Sequence, residues 1–193
     1  SGAELNKQIT QFTEGGFYMP RYSHWTEFET QEEFDQIMEK EYQERLNRYE
    51  EYVQKYQPMD VVKQYINDML KADYYKALFS NLNQFAYNRN QKIDIHQYTD
   101  KLKEAALLLA NQTVIESNFG LAENMYKHLH LLNERYWKGD QSLTLEEIME
   151  PLKDTPAIPY IFARGLSMSL NELNDPAYFE SQKANFDRYI HSP

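Results

Sequence analysis

Apolar positions recur at intervals of three and four along most of this chain. Phe34, Ile37, Met38, Tyr42, Leu46, Tyr49, Val53 and Tyr56 form the first such row, one face of a helix with 3.6 residues per turn. Thr30 and Glu33 stand before it as a capping box, hydroxyl to N3 amide and carboxylate back to the N-cap. The spacing therefore predicts a helix from Thr30 to about Tyr56, stopped by Pro58. A second row runs Val62, Tyr65, Ile66, Met69, Leu70, Tyr74, Ala77, Leu78, with Asp60 as its expected N-cap. Ser80 is expected to break that helix, and residues 80–87 to resume as a short helical turn before the polar tract 88–92.

Asp94 and Gln97 repeat the capping box and predict a third long helix through Tyr98, Leu102, Ala105 and Leu109. A bend or restart is expected over 116–120. A fourth helix then carries Leu121, Met125, Leu129, Leu132 and Tyr136, and Gly139 supplies a left-handed C-cap. Thr144 with Glu147 opens a short helix to about Lys153, and residues 154–159 are extended because two prolines disfavour helical backbone before them. Residues 160–173 read as a helix. Asp175 before Pro176 starts the last one, which runs to about Ile190. Valine numbers only four and no run alternates cleanly, so strands are not expected. The pattern predicts an all-α fold: an irregular single-domain bundle of about six to seven helices over residues 30–193. No 34-residue helical repeat recurs.

Residues 1–29 read differently. Phe17, Tyr18, Tyr22, Trp25 and Phe28 are spaced 1, 4, 3, 3, Pro20 interrupts them, and Gly15-Gly16 marks a flexible entry. The expectation is a nonhelical aromatic N-terminal arm. Water penalises exposed rings, so the arm must dock, as a strap across its own bundle or on a partner. Trp25, Tyr22 and Arg21 are the residue types that dominate interface hot spots, and they are the first candidate binding residues.

Composition narrows the functions. Thirty acidic against twenty basic residues give a net charge of −10, which opposes nucleic acid and anionic lipid surfaces. Ten of the carboxylates fall between residues 27 and 51 and are expected on a solvated helix face. No apolar run approaches the roughly 18 residues of a membrane span. Cysteine is absent, which removes disulfides, thiolate catalysis and cysteine-ligated zinc. Its absence fits any compartment, the cytoplasm included, and leans the expectation only slightly toward an extracytoplasmic one, with any leader removed ahead of Ser1.

Candidate chemistry is sparse. His128 and His130 lie about 200° apart on a helix, so they do not converge on a metal. Glu123, His130 and Glu134 share a face, but Lys127 sits among them and would repel a cation. Ser167 and Ser169 lack a nucleophile elbow, and no glycine-rich phosphate loop exists. In residues 158–173, Arg164 with Tyr160 one turn before it offers a fork to an anionic group or partner; an ion pair within the bundle is the plainer reading. No catalytic residue, metal or cofactor is assigned. The expected function is protein recognition, by an adaptor, an inhibitor or immunity-type factor, or a scaffold subunit, with another protein or a second copy as partner. Two rivals stand beside it: a small-molecule or metal-dependent enzyme using His96, His130 or Arg164, and a ligand sensor with a tyrosine-lined cavity.

Overall fold

The computed structural model describes residues 2–19, 21–90, 93, 95–109 and the single positions 111, 114, 120, 121, 125, 180, 183 and 187. These residues hold helices α1 (Gly2–Glu14), α2 (Gln31–Tyr56), α3 (Asp60–Arg89) and α4 (Thr99–Leu108), with 3-10 turns at Trp25–Glu27 and Ile95–Tyr98. No strand occurs among them, so this part of the chain is all-α. The helices expected beyond residue 110, the signals at Asp94, Gly139, Thr144 and Asp175, and the candidates Tyr160 and Arg164 lie outside the described residues.

Helix α2 starts and stops where its sequence says. The Thr30 Oγ1 accepts a hydrogen bond from the Glu33 amide at 3.1 Å. The Glu33 carboxylate reaches back to the Glu29 amide at 3.0 Å, one residue before the N-cap. At the far end Gln57 takes the left-handed conformation, φ 45°, and its amide donates to Val53 O at 2.9 Å. A three-residue connection then returns the chain as α3. Tyr42 stacks on Tyr74 with ring centroids 4.4 Å apart, and the Tyr49 hydroxyl meets Lys63 O at 3.2 Å. Positions rising on α2 therefore pair with positions falling on α3, an antiparallel hairpin.

Helix α3 is the hub, in contact with α1, α2, α4 and the turn at Trp25. Its first half buries one face through Val62, Ile66 and Leu70; its second half is covered more widely, through Tyr74, Tyr75, Leu78, Phe79, Leu82, Phe85 and Ala86. That cover explains why Ser80 does not break it. Serine is only mildly unfavourable inside a helix, and Phe79 and Leu82 on either side are fully buried. Asp60 is not the N-cap. Met59 takes that place without a side-chain bond, and Asp60 is the first helical residue, paired with Lys63 at 2.7 Å.

The third expected helix is shorter than predicted and begins late. Ile95–Tyr98 form a 3-10 turn, and α4 covers only ten residues, with Tyr98 as an N-cap that makes no side-chain cap bond. Tyr98 is buried, and its hydroxyl donates to Asp35 Oδ1 at 2.6 Å. This fixes residue 98 against α2 before the helix starts.

The largest correction concerns the N-terminus. Residues 2–14 are helical, not part of a nonhelical arm. Leu5, Ile9 and Phe12, spaced four and three, are the stripe that α1 lays on α2 and α3, and Phe12 is fully buried against Tyr52 and Ile66. Gly15-Gly16 is a helix stop rather than a flexible entry. A Cβ at Gly15 would lie 2.1 Å from Gln11 O, and Gly16 holds φ 84°, a region glycine enters without steric cost. Of the described residues before α2, 15–19 and 21–29, apart from the 3-10 turn, form the nonhelical segment.

Candidate functional site

Residues 17–19 and 21–28 form a strap across α2 and α3, and one side chain organises it. Arg45 lies on α2, seven residues after Met38 and seven before Tyr52, all three buried. It is 1% exposed, the most enclosed charge among the described residues. Its Nε donates to Met19 O at 3.1 Å, its Nη1 to Glu41 O at 2.8 Å, and its Nη2 to Arg21 O. The guanidinium carbon sits 3.5 Å from the centroid of the Tyr22 ring. A buried charge is tolerable only when paired and hydrogen-bonded. Here the fork takes backbone carbonyls, an aromatic face and the nearby Glu41 carboxylate at 3.9 Å. Glu41 in turn accepts from the Ser23 amide at 2.9 Å and from the Ser23 hydroxyl.

Further clamps run along the strap. Tyr18 donates its hydroxyl to Asp73 at 2.6 Å, Arg48 donates to Gly16 O at 2.9 Å, Asn81 to Ser23 O at 2.9 Å, and Arg89 to Phe28 O at 2.7 Å. Phe28 is fully buried and meets Phe34 edge-on. The structure brings Arg21 and Tyr22 together around Arg45, with the Arg21 side chain exposed and only its carbonyl engaged. Trp25 is half-buried against the main core. Burial pushes the Tyr22 and Tyr18 hydroxyls above the ordinary tyrosine range; for Tyr18 the Asp73 carboxylate adds to it.

A second polar seam ties α2 and α3 to α4. Lys101 Nζ donates to the Tyr74 hydroxyl at 2.6 Å, which donates to Glu39 at 3.1 Å, and Tyr75 donates to Glu104. Burial, reinforced by these carboxylates, holds the Tyr74 and Tyr75 hydroxyls far above their usual range. Burial also pushes Tyr42 up to about 12. The Tyr42 and Tyr74 rings stack, the Tyr75 ring is tilted by 55° against Tyr74, and the Tyr74 and Tyr75 hydroxyls donate to carboxylates.

The open space lies elsewhere. Between α1 and the first half of α3 runs a groove of about 310 Å³, walled by Leu5, Ile9, Val61, Tyr65 and Met69. Asp68 and Asn111 close one end of it and also line a second hollow of about 410 Å³, which continues past Lys71, Tyr75 and Glu104 to Leu107. Asp68 is 8% exposed. It accepts from Gln64 Nε2 at 2.8 Å and from Asn111 Nδ2 at 3.2 Å. Val61 and Leu107, one at each hollow, are 60% and 53% exposed.

Sequence reasoning passed over both Arg45 and Asp68. The signal for Arg45 was the seven-residue spacing 38, 45, 52, which makes it a charge in a core register. For Asp68 the signal was weak, a carboxylate two residues from Ile66 and Leu70 and four after Gln64. Among the described residues no three His, Asp or Glu side chains converge as a metal site. The His96 side chain and all of His130 lie outside those residues. No described helix is long and apolar enough to cross a membrane. Comparison with protein families, curated proteins and solved structures found no match.

Proposed function

We propose that this chain is a non-enzymatic protein-recognition module, and that its recognition face is the groove along α3 rather than the aromatic strap. One observation carries the reading: two adjoining hollows along one helix, with exposed apolar side chains at Val61 and Leu107. The strap is the less suitable face. The carbonyls of Gly16, Met19, Arg21, Ser23 and Phe28 are taken by Arg48, Arg45, Asn81 and Arg89, and the Tyr22 ring lies under a guanidinium. In this reading Tyr22 and Trp25 hold the fold together.

The groove offers shape and apolar contact, which suit binding. Its described walls bring no nucleophile and base into a shared geometry. An adaptor, an inhibitor or immunity-type factor, or a scaffold subunit would use such a surface in the same way. The test compares wild-type protein with Val61→Glu as immobilised baits in native extract. Val61 is well exposed, so the substitution should leave the melting temperature unchanged. Proteins retained by the wild type and lost by Val61→Glu support the groove as the recognition face. An identical retained set from both baits overturns it.

A further inference from the structure

We infer that Asp68 is the anchor of this groove for a basic side chain: the partner presents an extended segment with a lysine or arginine between apolar residues. The inference rests on the reading of the groove as a recognition face and names what that face takes.

The carboxylate stands where the two hollows meet, lining both. It is enclosed, 8% exposed, yet among the described residues its hydrogen-bond partners are the neutral amides of Gln64 and Asn111. Amide donors orient a carboxylate and satisfy some of its lone pairs without cancelling its charge. An ionised carboxylate has room for about four hydrogen bonds, which leaves capacity for an incoming ammonium or guanidinium. Lys71 also lines the second hollow, but among the described residues no ion pair joins it to Asp68. Glu104 shares that hollow and takes the Tyr75 hydroxyl. Among the described lining residues two carboxylates stand against one lysine, which favours a cation, and charge complementarity selects partners and their register.

Length argues for a polypeptide rather than a compact amine. The hollows follow α3 from Val61 to Tyr75, about 21 Å at 1.5 Å per residue. An extended segment of about six residues covers that distance. The first chamber is walled by Leu5, Ile9 and Met69, and the far end by Leu107 and Leu108. A central cation with apolar neighbours on both sides therefore matches the order of chemistry along the groove.

The experiment is a random seven-residue peptide array probed with wild-type protein and with Asp68→Asn, followed by solution titration of the best peptide. Its counterpart with norleucine in place of the basic residue, and hexylamine alone, are titrated beside it. The expected result is enrichment of Lys or Arg at one internal position with apolar flanks. Affinity should fall about 10- to 100-fold with norleucine, and similarly for Asp68→Asn. The norleucine peptide keeps the test valid should Asp68→Asn fail to fold. Peptides that bind without basic preference overturn the anchor while leaving the recognition face standing. Hexylamine binding as tightly as the best peptide overturns the polypeptide partner in favour of a small cation. No peptide above background overturns the recognition face itself.

Discussion

Arg45 separates a charge effect from a geometric one. In Arg45→Met the aliphatic stem is roughly kept while the donors and the charge go. The carbonyls of Met19 and Arg21 then lose their partner, at about 1–3 kcal/mol each where water is slow to replace it. The lost stacking on Tyr22 adds about 1–2 kcal/mol for a desolvated cation–π contact. Against this stands relief from burying a guanidinium, worth several kcal/mol. The expected net loss is about 2–4 kcal/mol, bounded by the docking energy of the strap because the strap can open by itself. For a chain of this size that lowers the melting temperature by about 5–15 °C. Arg45→Lys keeps the charge but has no planar fork to span Met19 O, Arg21 O and Glu41 O together, so lysine should rescue little. Thermal melts give the global loss, and limited proteolysis with cleavage mapping shows whether residues 15–23 become the first site of attack. An Arg45→Lys protein matching the wild type in both assays would refute the argument that carbonyl geometry, rather than charge, holds the strap.

Phe28→Ala should destabilise more than Trp25→Ala: the first empties a fully buried site, at about 3–5 kcal/mol. The second removes a half-buried ring, at about 1.5–3 kcal/mol, and chemical denaturation of both variants checks the order. Alkaline pH should unfold the protein early. Tyr18, Tyr22, Tyr42, Tyr74 and Tyr75 have native pKa values raised mainly by burial. Below about pH 10, the unfolded tyrosine value, their contribution is fully present, and it is lost as pH rises through the native values. Urea midpoints should therefore fall from about pH 10 upward, and less steeply in Tyr42→Phe, whose wild-type hydroxyl is held up to about 12. A midpoint flat over that range would contradict the burial of these rings.

The legible parts of this fold are those in which local chemistry and burial agree. The Thr30–Glu33 box, the apolar row to Tyr56 and Pro58 all point to one helix, and α2 occupies the expected span. Where tertiary contact decides, local signals mislead. Ser80 reads as a breaker, but fully buried neighbours carry α3 through it. The buried Tyr98, bonded to Asp35, delays α4 past the expected start. Helix α1 was readable in Leu5, Ile9 and Phe12. The aromatic run after it drew the whole N-terminus into one class, although Gly15 and Gly16 mark the boundary.

The two charges that organise the described surface were the hardest to read, for a shared reason. A periodicity argument assigns Arg and Asp to solvent, and it is right for most carboxylates of α2, such as Glu32, Glu44 and Glu51, all exposed. It fails where the enclosing groups are distant in sequence. Arg45 is buried by carbonyls 24 and 26 residues away, and Asp68 by an amide 43 residues away as well as by Gln64 next to it. Aromatic density had the opposite bias. Tyr22 and Trp25 have the composition of an interface, but the Tyr22 ring lies against the buried Arg45 and Trp25 packs on the main core. The difference between these roles lies in whether the backbone beside the rings is already hydrogen-bonded. At Met19, Arg21 and Ser23 it is, by side chains of the same molecule. At Asp68 the neighbouring amides leave a carboxylate with no counter-charge among the described residues, and that asymmetry shifts the search for a partner from the strap to the groove.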